Sequence, residues 1–246
     1  MKTPFAASFV GVLFIAIIGI SCEKDETTPD TLQVLGLTEK AGNYGYKELE
    51  EASVRWFLGS PADNTNPLLD ETGALSVAAK QPLSGITILP SNFGGKTTRT
   101  LTISSSNYVY VSPLGTVVWY YENDPCDPTF KPAAGQSLKD FLYEASLNFN
   151  DLSKANASVK LDGVELMTDK TKFRWKSDVY EATIHKDFDN PKCDYTGKKA
   201  KLVSDSYSIL LKIPKGKHTL IMKGTIPAAN PADVFEPEVT WNLTVE

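Results

Sequence analysis

Tyr108-Val109-Tyr110-Val111 and, a few residues later, Val117-Val118-Trp119-Tyr120-Tyr121 are the stretches on which the fold turns. Both consist of β-branched and aromatic residues, which suit a pleated, half-buried surface and lose side-chain freedom in a helix. Pro113-Leu114-Gly115 punctuates them. The same period of two starts upstream, where Ile86 and Ile88 flank Thr87, and Leu101 and Ile103 flank Thr102. Further strands are predicted near 158–161, 172–175, 179–184, 207–212, 218–223 and 238–245. In the last, Trp241, Leu243 and Val245 share one face. Pro214-Lys215-Gly216-Lys217 joins two strands in a tight turn. Short strands at this spacing predict a mostly β chain, an antiparallel β-sandwich with one N-terminal helix and one short inserted helix.

The N-terminal helix is predicted over residues 46–57. Strong helix formers there place Leu49, Ala52/Ser53, Trp56 and Phe57 on one face, and Gly59 and Pro61 end it. The inserted helix is predicted over 137–143, where Ser137 and Asp140 make a capping-box-like start. Between the first helix and the first strand lies a polar loop over residues 60–73.

The chain has 246 residues, of which 41% are hydrophobic and 22% charged, a globular composition. Thirty acidic against 25 basic side chains give a net charge of −5, which speaks against a nucleic-acid partner. Two histidines and three cysteines are too few for a multi-ligand zinc or iron–sulfur centre.

The first 21 residues read as a signal peptide. Lys2 precedes an uncharged apolar run over residues 5–20, too short for a membrane span, and Cys22 follows. Gly19-Ile20-Ser21-Cys22 resembles the lipobox of bacterial lipoproteins. The resemblance implies cleavage before Cys22 and its acylation. Glu23-Lys24-Asp25-Glu26 resembles the acidic export signal of surface lipoproteins in Gram-negative bacteria. That implies an outer-membrane lipid anchor and display at the cell surface. Residues 22–40 are then an acylated tether and 41–246 one sandwich domain. Sixteen flexible residues would reach roughly 20–25 Å.

Once Cys22 is lipidated, Cys126 and Cys193 remain. In an oxidising compartment, between turn-forming prolines, they are expected to pair.

Segments spread along the body resemble a family of exported bacterial proteins. They begin with Tyr44-Gly45-Tyr46, Arg55-Trp56-Phe57, Pro67-Leu68-Leu69-Asp70, Thr72-Gly73 and Gln81. They continue with Asn92-Phe93-Gly94-Gly95, Arg99-Thr100 and Lys160-Leu161-Asp162-Gly163. Ser204-Asp205-Ser206-Tyr207 and Pro214-Lys215-Gly216-Lys217-His218-Thr219 complete the set. Val77 and Leu101 stand where members carry a cysteine pair. The resemblance implies export and the limits of the folded body, and it implies no chemistry.

Catalytic motifs are sparse. Gly94-Gly95-Lys96-Thr97 ends like a P-loop, but the first glycine of that motif would fall at Pro90. No nucleophile elbow and no zincin helix occurs. The candidate ligand-binding residues are Trp56, Arg99, Trp119, Tyr121 and His218. An exposed aromatic platform would stack on sugar rings, and a cleft holding Arg99 or His218 beside a carboxylate would instead favour a hydrolase. Asp63, Asn64, Asn66, Asp70 and Glu71 form an oxygen-rich loop that raises calcium as a possible cofactor, although no EF-hand spacing is present. Lys192, Lys198, Lys199 and Lys201 read as a solvated hairpin tip. The expected function is a non-enzymatic surface lipoprotein that binds a glycan or an envelope protein. The alternatives are an exported hydrolase and a purely structural envelope protein.

Overall fold

The structure, a computed structural model, describes residues 31–124, 126–228 and 234–246, apart from the side chain of Phe149. The signal peptide, Cys22 and the tether up to residue 30 lie outside the described residues.

Two sheets face each other, as expected of a sandwich. The first is built on two 13-residue strands, β4 (Tyr108–Tyr120) and β9 (Ala200–Lys212), which pair antiparallel. β2 (Ile86–Leu89) extends it beside β4. The other edge of β9 is covered in series by β1 (Gln33–Leu35), β7 (Arg174–Lys176) and β8 (Tyr180–Ala182). The second sheet runs β3 (Gly95–Ile103), β11 (Pro237–Val245), β10 (Gly216–Thr225), β5 (Asn156–Leu161) and β6 (Val164–Glu165). The core between the sheets interleaves Val109, Val111, Ile209 and Leu211 with Leu220, Met222, Trp241 and Leu243. These are the inward halves of period-two strands.

Details of the sheets, the tether and the inserted helix differ from the sequence reading. The sheets are mixed, because β2 pairs parallel with β4 and β3 parallel with β11. The chain leaves the first sheet after β2, makes β3 in the second and returns as β4, so β2 and β4 point the same way. Secondly, Pro113 does not end a strand. β4 runs through it with a register shift between Val111 and Leu114, a bulge that accommodates a residue with no N–H to donate. Thirdly, the tether expected to reach residue 40 ends earlier. Val34 and Leu35 join the sheet as β1, which pairs part of an otherwise bare edge of β9. Lastly, the inserted helix is longer than expected, α2 (Leu138–Phe149), with the Ser137 hydroxyl accepting from the Asp140 N–H at 3.1 Å.

The long strands of the first sheet outrun the second. α2 covers the overhang, packing Leu142 on Val118 and Val203. The opposite face of the first sheet carries α1 (Tyr46–Leu58). Glu48 accepts from the N–H of Gly45 at 2.8 Å at its start, and the Gly59 N–H reaches the Arg55 carbonyl at its end. Its buried row is Tyr46, Leu49, Glu50, Val54 and Leu58, so the helix is rotated from the predicted face, and Trp56 is only half-buried. The rotation follows the i, i+4 row of Tyr46, Glu50, Val54 and Leu58, which meets the sheet as one stripe.

Cys126 and Cys193 form a disulfide with their Cα atoms 6.2 Å apart. It ties the loop after β4 to the loop after β8, as the sequence predicted.

Candidate functional site

A cleft of about 410 Å³ opens where α1, the end of β2 with residues 90–93, and the bulged middle of β4 diverge. Its walls carry five aromatic rings, Phe57, Phe93, Trp119, Phe188 and Phe235. Phe93 is 51% exposed, and its ring lies 6.5 Å from that of Phe188. Polar groups enter from Ser53 on α1, Thr116 on β4 and Asn150 at the end of α2. The bulge shapes this space, because Ser112, Pro113 and Leu114 line it at the register shift.

Glu50 is the most buried polar residue of the lining, 4% exposed. Its Oε2 accepts from the Tyr110 hydroxyl at 2.6 Å. Burial pushes its carboxyl above the ordinary 4.5. The hydroxyls of Tyr110, Ser206 and Ser204 oppose that push, and the charge of Asp205 adds to it. Ser204, Ser206 and Ser208 are alternate residues of β9 and fully buried, with Ser206 Oγ 2.9 Å from Ser208 Oγ. A strand that alternates serine toward α1 with Tyr207, Ile209 and Leu211 toward the sandwich core is a polar seam under a helix. Asp205, on the other face, is spent on a bidentate pair with Arg174 at 2.9 and 2.7 Å.

The residues singled out from sequence separate into three settings. Trp119 is at the cleft. It is half-buried, and its indole N–H donates to Asp189 Oδ1 at 3.3 Å, which fixes the plane of the ring. The same ring borders a second hollow of about 210 Å³ beside the disulfide. Tyr121 lies there, buried, stacked on Tyr195 at 4.1 Å and donating to Asp189 Oδ2 at 2.8 Å. Burial raises the Asp189 carboxyl, against the hydrogen bonds from Tyr121 and Trp119. Tyr121 therefore braces the wall behind Trp119 and is not a platform for a ligand. Trp56 packs beside the Tyr46 and Leu49 cluster, away from the cleft. Its neighbour Phe57 takes the place in the wall.

Arg99 does not reach the cleft surface, yet it holds the wall. It is 1% exposed and sits 5.3 Å from the Trp241 ring. It donates to the carbonyls of Pro90 at 2.9 Å, Ser91 at 3.1 Å and Leu68 at 3.2 Å. Those three residues all line the cleft. Burial lowers its pKa to about 10, against the opposing charges of Asp70 and Glu71. Gly73 makes room beside it. With φ at +89°, a Cβ there would lie 2.9 Å from Trp241 and 3.0 Å from the Thr100 carbonyl.

His218 stands on β10 with Nδ1 2.7 Å from Asp162 Oδ2 and Nε2 3.0 Å from the Pro214 carbonyl. It fastens the β10 hairpin to the turn after β5. Neither His218 nor Asp162 lines the cleft. Arg99 and His218 are thus engaged with separate partners on different strands.

The oxygen-rich loop is folded by its own side chains. Asn66 donates to the carbonyls of Phe57 at 2.7 Å and Pro61 at 3.0 Å, and accepts from Leu68 N–H. Asp70 accepts from Thr72 and from Leu75 N–H. Oxygens filled by N–H donors leave little for a calcium ion. Among the described residues no three His, Cys, Asp or Glu ligand atoms converge in this loop. Of the lysines, Lys201 pairs with Glu122 at 3.0 Å, and Lys198 lies 5.7 Å from the Tyr195 ring.

The sequence reading missed Glu50 and the three serines. One signal was present: a lone acid in an otherwise apolar i, i+4 row of a helix, with serine at every second place of a strand.

The arrangement defines a helix-backed β-sandwich with an aromatic cleft over a buried acid. No family model matches the chain, and no curated protein matches it. Among solved structures, one titled "Solution Structure of Amebosin" is 10% identical, with a TM-score of 0.17, covering 61% of this chain and 96% of that one. So small a likeness carries no argument about fold or activity.

Proposed function

We propose that the protein is an outer-membrane lipoprotein, anchored through acylated Cys22 and displayed at the cell surface, whose sandwich binds a glycan without catalysis. The cleft is the observation that carries the binding role. It is of a size that suits one or two sugar rings, and its flat aromatic walls suit their apolar faces. Serine, threonine and asparagine groups at its edges suit their hydroxyls. Arg99 and His218 lie outside the cleft lining and are engaged with structural partners, which supports binding over hydrolysis. The anchor rests on the Gly19-Ile20-Ser21-Cys22 and Lys24-Asp25-Glu26 motifs.

The test is a glycan-binding screen on the full-length protein in detergent, with Trp119→Ala as control. The reading expects a set of sugars bound by the wild type and lost in the variant. Sugars bound equally well by both proteins would place binding elsewhere, and no bound sugar would sink it.

A further inference from the structure

Among the described residues that line the cleft, Glu50 is the single ionisable side chain. A carboxylate that is 4% exposed, with no cation beside it, is an unusual thing to keep in an apolar interior, where ions are normally paired. On the same helix, Arg55 is engaged elsewhere. Arg55 pairs with Glu51 at 2.9 Å and donates to the Glu181 carbonyl at 3.0 Å. On β7, Arg174 and Lys176 are both drawn to Asp205. Among the described residues, the hydroxyls of Tyr110, at 2.6 Å, and of the serine seam attend Glu50. Among the described residues no ion pair is made by Glu50, and the space that reaches it is walled by aromatic rings, whose faces attract cations.

We infer that the cleft selects a ligand carrying a primary ammonium group on a compact ring, with the ammonium seated at Glu50 and the ring between the aromatic walls. This rests on the reading of the cleft as the binding site and names the chemistry of what enters it. A neutral ligand leaves Glu50 as costly as before, and an anionic one adds repulsion. An ammonium supplies the missing partner in a site screened from water, where a charge-assisted hydrogen bond is strong. Burial disfavours the charged form of this carboxyl, and an incoming cation favours it. Amino sugars and arylalkylamines both carry this chemistry.

Titration calorimetry on the full-length protein near neutral pH separates the cases. The probes are three β-1,4-linked disaccharides that differ chiefly at C2: cellobiose with hydroxyls, di-glucosamine with free amines, and its di-N-acetyl form. 2-Phenylethylamine and 2-phenylethanol make a second pair. The inference expects each free amine to bind about tenfold or more tighter than its neutral counterpart. Glu50→Gln, which keeps the shape and removes the charge, should abolish that preference. Equal binding of cellobiose and di-glucosamine would overturn the ammonium inference and leave the glycan reading standing. Binding of phenylethylamine with no disaccharide bound would keep the ammonium and overturn the glycan reading. Silence from all five probes would overturn both. Should Glu50→Gln fail to fold, the wild-type comparison within each probe set still decides.

Discussion

Glu50 and Arg99 are both charged and both buried, but their surroundings do opposite things. Arg99 has three carbonyl acceptors in place, and removing it would release Leu68, Pro90 and Ser91 together. Arg99→Met is expected to cost about 3 kcal/mol, measured by urea unfolding, and to weaken ligand binding through loss of the wall. Glu50 has hydroxyl donors and no cation. Its folded pKa stands above the ordinary 4.5, so between the two values the folded protein holds a proton that the unfolded chain has lost. Stability therefore falls as pH rises from about 4.5 through the folded value, then levels. Glu50→Gln should remove that fall, so the variant is the more stable protein at pH 8 and the two converge at acid pH. Melting curves at several pH values check this, and a variant less stable than wild type throughout would contradict it. Arg99 could be picked out from the sequence because it sat in a motif. Glu50 could not, because the helix phase was set on Leu49, Trp56 and Phe57, which left Glu50 on the solvent side. The phase turns on whether Trp56 or Val54 faces the sheet, and the local sequence does not decide between them.

Elements were legible where one face is apolar and the other polar. β10 and β11 alternate cleanly and were placed to within two residues. β9 was placed only in its apolar half, since the serines at 204 and 206 lack the apolar alternation that marks a strand. The family-like segments have a common physical basis, because most of them are side chains that bond to backbone. Gln81 donates to the carbonyls of Ser76 and Ile88 and accepts from Ile88 N–H. Asn92 reaches Gly95 O, Thr97 and Glu238 O. Such motifs specify the scaffold of the cleft and leave its chemistry open. Two elements give direct tests. Ser137→Ala removes the cap of α2 and should cost about 1 kcal/mol. Cys126→Ser opens a link across 67 residues, and the chain-entropy account puts its loss at up to about 4 kcal/mol. For a domain of this size each kcal/mol corresponds to roughly 2–4 °C in Tm, so calorimetry should separate the two variants easily.

At the scale of the molecule, the mixed sheets were beyond reach of the sequence. Strand direction depends on which sheet β3 joins, and period-two patterns are the same in either. The expected sandwich and the disulfide emerge from patterns that do not depend on that choice. The tether and anchor belong to this scale too. Cys22→Ser should abolish lipid labelling and release the protein from membranes, and labelling that survives would refute the anchor. Replacing Lys24, Asp25 and Glu26 with alanine should leave the protein acylated but protected from protease added to whole cells.

The central claim is that the cleft under α1 is where the ligand sits. A crystal structure of the complex with the tightest-binding sugar from the screen tests it most directly. The account predicts a sugar ring against Trp119, between α1 and the β4 bulge, with its polar substituent toward Glu50. A sugar bound anywhere else on the molecule, with that cleft empty, would contradict it.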